Sequence, residues 1–311
     1  MKRISVVICT YNRPRLLDGA LESLCFAERP TRWDWEVIVV VNDRCDESRH
    51  VVNRFLGRLP LISVNEDRPG ISYARNTAID VASGDVIIWI DDDVEVQPEW
   101  LRAYENAFCR WPEATIFGGA ILPKFQGTPP DWLQRAWHLC DSAFSARRKP
   151  EADAPILLTE NYPPYGANFA IRAAAQRQFR YDPRLGRRPG KWIVNEEETE
   201  VICSVLANGA TGRWVRAAVV HHITPQERQT IHYVRHYYES CGRLLELRTK
   251  EARVIPSLAN RWRDMREVIA SETRFRWLKA FAGPTQWVPA LVSAATARGK
   301  WIGRYSCDHI T

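Results

Sequence analysis

Four short runs in the first ninety residues are apolar but for one residue each and rich in β-branched side chains: Ile4 to Cys9, Glu36 to Val41, Leu61 to Val64 and Asp85 to Ile90. Between them lie segments of helical periodicity, one opened by Pro14 with Leu16, Leu17, Ala20, Leu21 and Leu24, one from about Glu47 to Leu56, one from Ile71 to Ala82. Strands without a polar face must be covered on both sides, and strands alternating with helices are joined by crossovers. The expectation is an α/β fold with a mostly parallel sheet flanked by helices.

In such sheets ligands bind beyond the carboxyl ends of the strands. Three polar loops follow those ends here: Thr10-Tyr11-Asn12-Arg13, Asn42-Asp43 and Asp91-Asp92-Asp93. Three consecutive carboxylates delivered to a rim by the buried run Val86 to Ile90 repel one another unless a cation or a raised pKa compensates. Mg²⁺ or Mn²⁺, with oxygen ligands and a diphosphate as co-ligand, suits them.

Beyond Pro112 the pattern loosens into long loops around short strands, suited to an acceptor cleft. A helix is predicted from Glu197 to Ala207, then a strand from Trp214 to Val220 ending at His221-His222. Ile231, Val234, Tyr238, Cys241 and Leu245 form an amphipathic helical stripe, and further helix follows, interrupted around Gly283-Pro284 and Pro289.

The chain of 311 residues carries a net charge of +6, and the excess is C-terminal: residues 226–311 hold 15 Lys/Arg against 8 Asp/Glu. Such a tail points to an anionic surface or to a solvated basic face on a helical bundle. Phe275, Trp277, Leu278, Phe281, Trp287 and Trp301 stand among Arg274, Arg276, Lys279, Arg298, Lys300 and Arg304, a mixture suited to a membrane interface or to packing within the protein. The apolar run Ile4 to Cys9 is too short for a signal-peptide core, and no window approaches the length of a membrane span. The eight scattered cysteines show no metal-binding spacing and are expected as reduced thiols in a cytosolic protein.

The order and spacing of Ser5-Val6-Val7-Ile8-Cys9-Thr10-Tyr11-Asn12-Arg13, Glu36-Val37-Ile38-Val39-Val40-Val41-Asn42-Asp43, Gly70-Ile71-Ser72-Tyr73-Ala74-Arg75-Asn76 and Trp89-Ile90-Asp91-Asp92-Asp93 closely resemble the inverting family 2 glycosyltransferases of GT-A fold. The resemblance covers about residues 1–225 and leaves 226–311 as a basic helical extension. It implies a nucleotide-sugar donor, a hydroxyl acceptor that is a glycan, a lipid-linked sugar or a small molecule, and Mn²⁺ or Mg²⁺. Thr10 and Tyr11, in the loop with Asn12 and Arg13, would line the nucleotide pocket. The family's base-reading acid aligns with Asn42, with Asp43 beside it, so UDP leads while dTDP and GDP stay open. Asp91 or Asp92 would face the ribose, and Asp93, with Asp91 near, would hold the metal.

By the same resemblance Arg75 braces the acidic loop or forms a plain salt bridge, and Gly118-Gly119 and Gly166-Ala167-Asn168 approach the donor sugar. Glu197-Glu198 match the family's Glu-Asp element, with Glu198 as the base that deprotonates the acceptor and Glu197 as its neighbour in register. His221 matches a histidine near metal or diphosphate, and Arg228 a phosphate clamp. A sugar nucleotidyltransferase would need a glycine-rich loop where Thr10-Tyr11-Asn12-Arg13-Pro14 stands. A nucleic-acid-binding protein, suggested by the basic tail and 13 tryptophans, is the remaining alternative, and no nucleic-acid partner is expected. The expected location is the cytoplasm, including the cytoplasmic face of the inner membrane.

Overall fold

The computed structural model describes residues 2–43, 46–147, 151–157, 163–187, 197–248 and 258–305. β1 (Arg3–Thr10), α1 (Pro14–Cys25), β2 (Asp34–Val41), α2 (Asp46–Phe55), β3 (Leu61–Asn65), α3 (Ile71–Val81) and β4 (Val86–Asp91) follow the predicted alternation. The chain continues through β5 (Val94–Val96), α4 (Trp100–Arg110), β6 (Ile116–Phe125), α5 (Asp131–Ala136), β7 (Ala154–Ile156), β8 (Phe169–Arg172), α6 (Ala173–Gln178), α7 (Glu197–Ala207) and β9 (Gly212–Thr224). Three long helices end it: α8 (Ile231–Arg248), α9 (Leu258–Phe281) and α10 (Pro284–Tyr305).

Eight strands form one path in the order β3-β2-β1-β4-β8-β6-β9-β5, and β7 pairs with β9. The parallel part is β3-β2-β1-β4, and the pairings of β8 with β4 and β6, and of β9 with β5 and β7, are antiparallel. The parallel register sets Thr10 opposite Val41 and Cys9 opposite Asp91, so the three polar loops leave the sheet along one rim. The antiparallel strands bring more chain to that rim. Phe169 pairs with Trp89, and Val94, just past the acids, pairs with His222.

Alternate strand residues feed opposite faces. Val6, Ile8, Val37 and Val39 pack under Leu17, Leu21, Val52, Phe55, Trp100, Tyr104 and Phe108 of α1, α2 and α4. Val7, Ile38 and Val40 pack with Ala74, Ala78 and Ile79 of α3 and with Val201, Ile202 and Val205 of α7. Truncating one such fully buried leucine, Leu17 or Leu21, costs about 2–5 kcal/mol.

The chain divides into two compact units, residues 1–124 with 145–223, and residues 125–144 with 224–311. In the second, Leu133, Phe144, Val234, Phe275, Trp287, Val288 and Leu291 form a core of their own. α8 and α10 cross closely: a Cβ on Gly242 would strike the Thr296 carbonyl, and one on Gly299 the Glu239 carbonyl.

Two expectations change. The helical interruption lies before Pro284, whereas Pro289 sits inside α10, where it forgoes one donor of the helical ladder without ending the helix. β9 runs on to Thr224, since Val94 to Val96 pair with Val220 to His222, and the two histidines are therefore within a strand.

Candidate active site

At the end of β4 the three acids differ. Asp92 and Asp93 are buried, with side chains 6% and 5% exposed, while Asp91 is 39% exposed. Thr10 Oγ1 donates to Asp92 Oδ2 at 2.7 Å. One Arg13 nitrogen, Nη1, lies 3.1 Å from Asp92 Oδ1 and 3.2 Å from Asp93 Oδ2. His222 Nε2 lies 3.3 Å from Asp93 Oδ1. Burial, and then the charge of Asp93, push the Asp92 carboxyl up to about 7 against the pull of Arg13, and the same two causes raise Asp91.

The second acidic group opens α7. Glu197 and Glu198 are both buried, and Arg75 Nη1 reaches Glu197 Oε1 at 2.9 Å and Glu198 Oε2 at 3.3 Å. The same guanidinium, through Nη2, lies 3.8 Å from Asp91 Oδ1 and sits over the rings of Tyr181 and Trp89. Arg75 thus joins the strand-end acids to the helix-start acids. The Gly166 amide donates to Glu198 Oε1 at 3.3 Å, and a Cβ there would lie 2.5 Å from Arg75 Nη2, so only glycine lets the loop come this close. Burial, followed by the neighbouring Glu198 charge, pushes Glu197 up. Glu198, which burial alone would raise, is held below the usual carboxylate range by Arg75 and by backbone donors including Gly166. One arginine facing two glutamates therefore leaves Glu198 as the ionised member.

Several expected residues have other work. The Asn42 amide donates to the carbonyls of Glu66 and Arg68 at 2.7 and 2.8 Å and accepts from the Gly70 amide at 3.0 Å, which ties down the loop before α3. Asp43 beside it takes the amide of Asn12 at 2.5 Å and the Ser48 hydroxyl at 3.0 Å, while Asn12 adopts a left-handed φ of 53°. Tyr11 is exposed at the rim. Asn168 is a core hub: it accepts from Trp100 Nε1 and Tyr104 Oη at 2.9 Å each and donates to the carbonyls of Ala120 and Ala218 at 2.9 and 3.0 Å. A Cβ on Gly119 would collide with that amide. Gly119 and Asn168 thus shape the sheet under the rim, and the donor-sugar role expected of Asn168 is replaced by this internal bonding.

Between the histidines, strand alternation decides. His222, and not His221, turns to Asp93, while His221 is half-buried opposite Glu95, its pKa lowered by burial. Apolar residues precede both, so only the β5–β9 register distinguishes them. Arg228 belongs to the second unit, in the 3₁₀ turn Gln226–Arg228, with its guanidinium 6.0 Å from the Tyr233 ring. Asn195 and Glu196 lie outside the described residues.

Among the described residues no group of three or more His, Cys, Asp or Glu side chains forms a metal cage. The donor chemistry nevertheless fits Mg²⁺ or Mn²⁺, since such ions bind through one or two carboxylates plus substrate phosphates. Asp91, partly open and charged only at a cost, and Asp93, which faces Arg13 and His222, are the carboxylates that would hold it.

The family model for glycosyl transferase family 2 matches residues 5–178, more than half of the chain. The chain belongs to glycosyl transferase family 2. The matched part of this family 2 chain contains the Asp91–Asp93 rim and Arg75 and ends before Glu197 and His222. The glucosyl-dolichyl phosphate glucuronosyltransferase of Haloferax volcanii is 24% identical over 201 residues, 63% of this chain and 61% of that protein, so the chain spans less than two thirds of that relative. The succinoglycan biosynthesis protein ExoM of Rhizobium meliloti is 28% identical over 233 residues, 73% of this chain and 69% of that one. The structure of residues 1–349 of Staphylococcus aureus TarS in complex with UDP-GlcNAc superposes with a TM-score of 0.54 at 16% identity, over 98% of this chain and 91% of that one, which shows the shared GT-A fold. A mannosyltransferase from Pyrobaculum calidifontis, solved with GDP-Man and Mn²⁺, has a TM-score of 0.50 over 95% of this chain and 69% of that one.

Proposed function

We propose that this chain transfers a sugar, with inversion, from a nucleoside diphosphate sugar to the hydroxyl of a lipid-linked or glycan acceptor. The observation that carries this reading is Arg75, which ties Asp91 on the donor side to Glu198 on the acceptor side. Thr10, Tyr11 and Asp43 border the nucleotide, and UDP is the preferred donor nucleotide. Asp93 and Asp91 would hold Mn²⁺ or Mg²⁺, and the bound ion would supply positive charge to neutralise the departing diphosphate.

Glu198 takes the proton of the acceptor hydroxyl. The acceptor oxygen bonds to the anomeric carbon on the face opposite the diphosphate, the bond from that carbon to the phosphate oxygen breaks, and its electron pair leaves with the nucleotide. Arg75 keeps Glu198 ionised and aimed. The names of two relatives, a glucosyl-dolichyl phosphate glucuronosyltransferase and a UDP-Glc:α-D-GlcNAc-diphosphoundecaprenol β-1,3-glucosyltransferase, support a lipid-linked acceptor. Such an acceptor places the enzyme at the cytoplasmic face of a membrane.

Thermal shift with a panel of nucleotide sugars, each with and without Mn²⁺, tests the reading, because a ligand that binds only the native state raises Tm by mass action. A rise for UDP sugars that requires Mn²⁺ is expected. No rise with any nucleotide sugar, with or without metal, would overturn it.

A further inference from the structure

The aromatic and basic residues of the tail fall into two sets in the folded chain. Phe275 and Trp287 are buried in the core of the second unit, and Leu278 and Trp301 are partly buried. Trp262, Ile269, Trp277 and Phe281 are 63%, 57%, 60% and 76% exposed, and all four belong to α9. At 100° per residue they fall within an arc of about 120°, and at 1.5 Å per residue they extend over about 29 Å of helix.

The charges on α9 divide along the same line. Its inward acids are engaged: Asp264 by Arg304 at 2.5 Å and by Tyr305 at 2.9 Å, Glu272 by Arg235 at 2.8 Å. Arg266 stands within the outward aromatic arc, with Arg263, Arg274 and Arg276 along its borders, all exposed, and Glu267 is the acid nearest to it; Arg276 pairs with Glu272 at 3.1 Å and Arg263 with Asp264 at 3.4 Å, which leaves Arg266 and Arg274 as the charges turned outward. The outward face is therefore aromatic and cationic together. A protein-binding groove would gather its apolar groups into one patch. Here they are strung along a helix and interleaved with arginine, as on helices that lie in a lipid interface. No helix among the described residues is long and apolar enough to cross a membrane.

We infer that the outward face of α9 docks on an anionic bilayer, with Trp262, Ile269, Trp277 and Phe281 at headgroup depth and Arg266 and Arg274 on the lipid phosphates. The inference deepens the proposed action on membrane-held acceptors, yet it stands on α9 alone and is tested without donor or acceptor.

The test is co-sedimentation of the full chain with phosphatidylcholine vesicles and with vesicles enriched in phosphatidylglycerol, at low and high salt. Binding is expected on the anionic vesicles, weakening as salt rises. Arg266→Gln with Arg274→Gln should weaken it about 25-fold, at roughly fivefold for each charge. Trp277→Ser with Phe281→Ser should abolish it while leaving Tm and Mn²⁺-dependent UDP binding unchanged, because both side chains are exposed. Trp277→Tyr should retain it. Equal sedimentation of wild type and both double variants would overturn the inference. So would absence of wild-type binding, or a self-associated wild type that Trp277→Ser with Phe281→Ser converts to monomer without a change in vesicle binding. Loss of UDP binding in the wild type, with vesicle binding intact, would instead remove the proposed reaction and leave the docking face standing.

Discussion

Arg75 Nη1 lies 3.3 Å from Glu198 Oε2 inside the protein, and the same guanidinium holds Glu197. Glu198 is the ionised partner because Arg75 first, and then hydrogen-bond donors that include the Gly166 amide, outweigh the effect of burial. Replacing Glu198 by Gln keeps the shape and removes the proton acceptor, so turnover should fall roughly 10²-fold or more with donor affinity nearly unchanged. Glu197→Gln should cost much less. Single-turnover rates alongside donor titrations separate the two effects, and a collapse in Glu197→Gln with near-normal Glu198→Gln would exchange their roles.

Arg75→Met leaves the buried, ionised Glu198 without its counter-charge and should destabilise the fold by about 3–5 kcal/mol. Glu198→Gln in that background should recover part of the loss. Urea unfolding of the wild type and the two variants measures this, and an unchanged midpoint for Arg75→Met would show that water already screens the pair.

The pH dependence has a definite sign. Burial, then Glu198, push Glu197 up to about 8, above its ordinary value of 4.5. Below about 4.5 the group is protonated folded or unfolded and contributes nothing; between 4.5 and 8 the unfolded chain ionises it freely while the native state resists, so stability falls as pH rises. The wild type should thus lose stability relative to Glu197→Gln across that window. Parallel Tm curves for the two proteins from pH 4.5 to 8 would contradict it.

Much of this was legible in the sequence, and what was not has identifiable causes. Almost wholly apolar strands announced β1 to β4, and the four motifs announced the family. Of the antiparallel strands β9 was announced by the Trp214 to Val220 run, whereas β5, β7 and β8 were hidden because they are short and their place depends on pairings such as Val94 with His222 and Trp89 with Phe169. The choice of His222 over His221 hangs on that same register. Asn42 and Asn168 look like ligand contacts in a motif, and only the folded chain shows both amides spent on backbone carbonyls and neighbouring side chains. Membership of residues 125–144 in the C-terminal unit leaves no trace in local periodicity.

Asn168→Ala tests that last distinction between ligand contact and scaffold. Four buried hydrogen bonds are lost, and each stranded partner costs about 1–3 kcal/mol, so stability should drop by several kcal/mol. At a temperature where the variant is folded, its donor affinity should stay near that of the wild type. A stable variant with weakened donor binding would return Asn168 to the binding site.

Asp93 and its neighbours should bind a nucleoside diphosphate together with a divalent cation. Calorimetric titration of UDP into wild type and Asp93→Ala, each with and without Mn²⁺, addresses it most directly. Wild type should bind UDP tightly only with Mn²⁺, and Asp93→Ala should lose that metal-dependent binding while keeping the wild-type fold by circular dichroism. Undiminished Mn²⁺-dependent UDP binding by Asp93→Ala would contradict the claim.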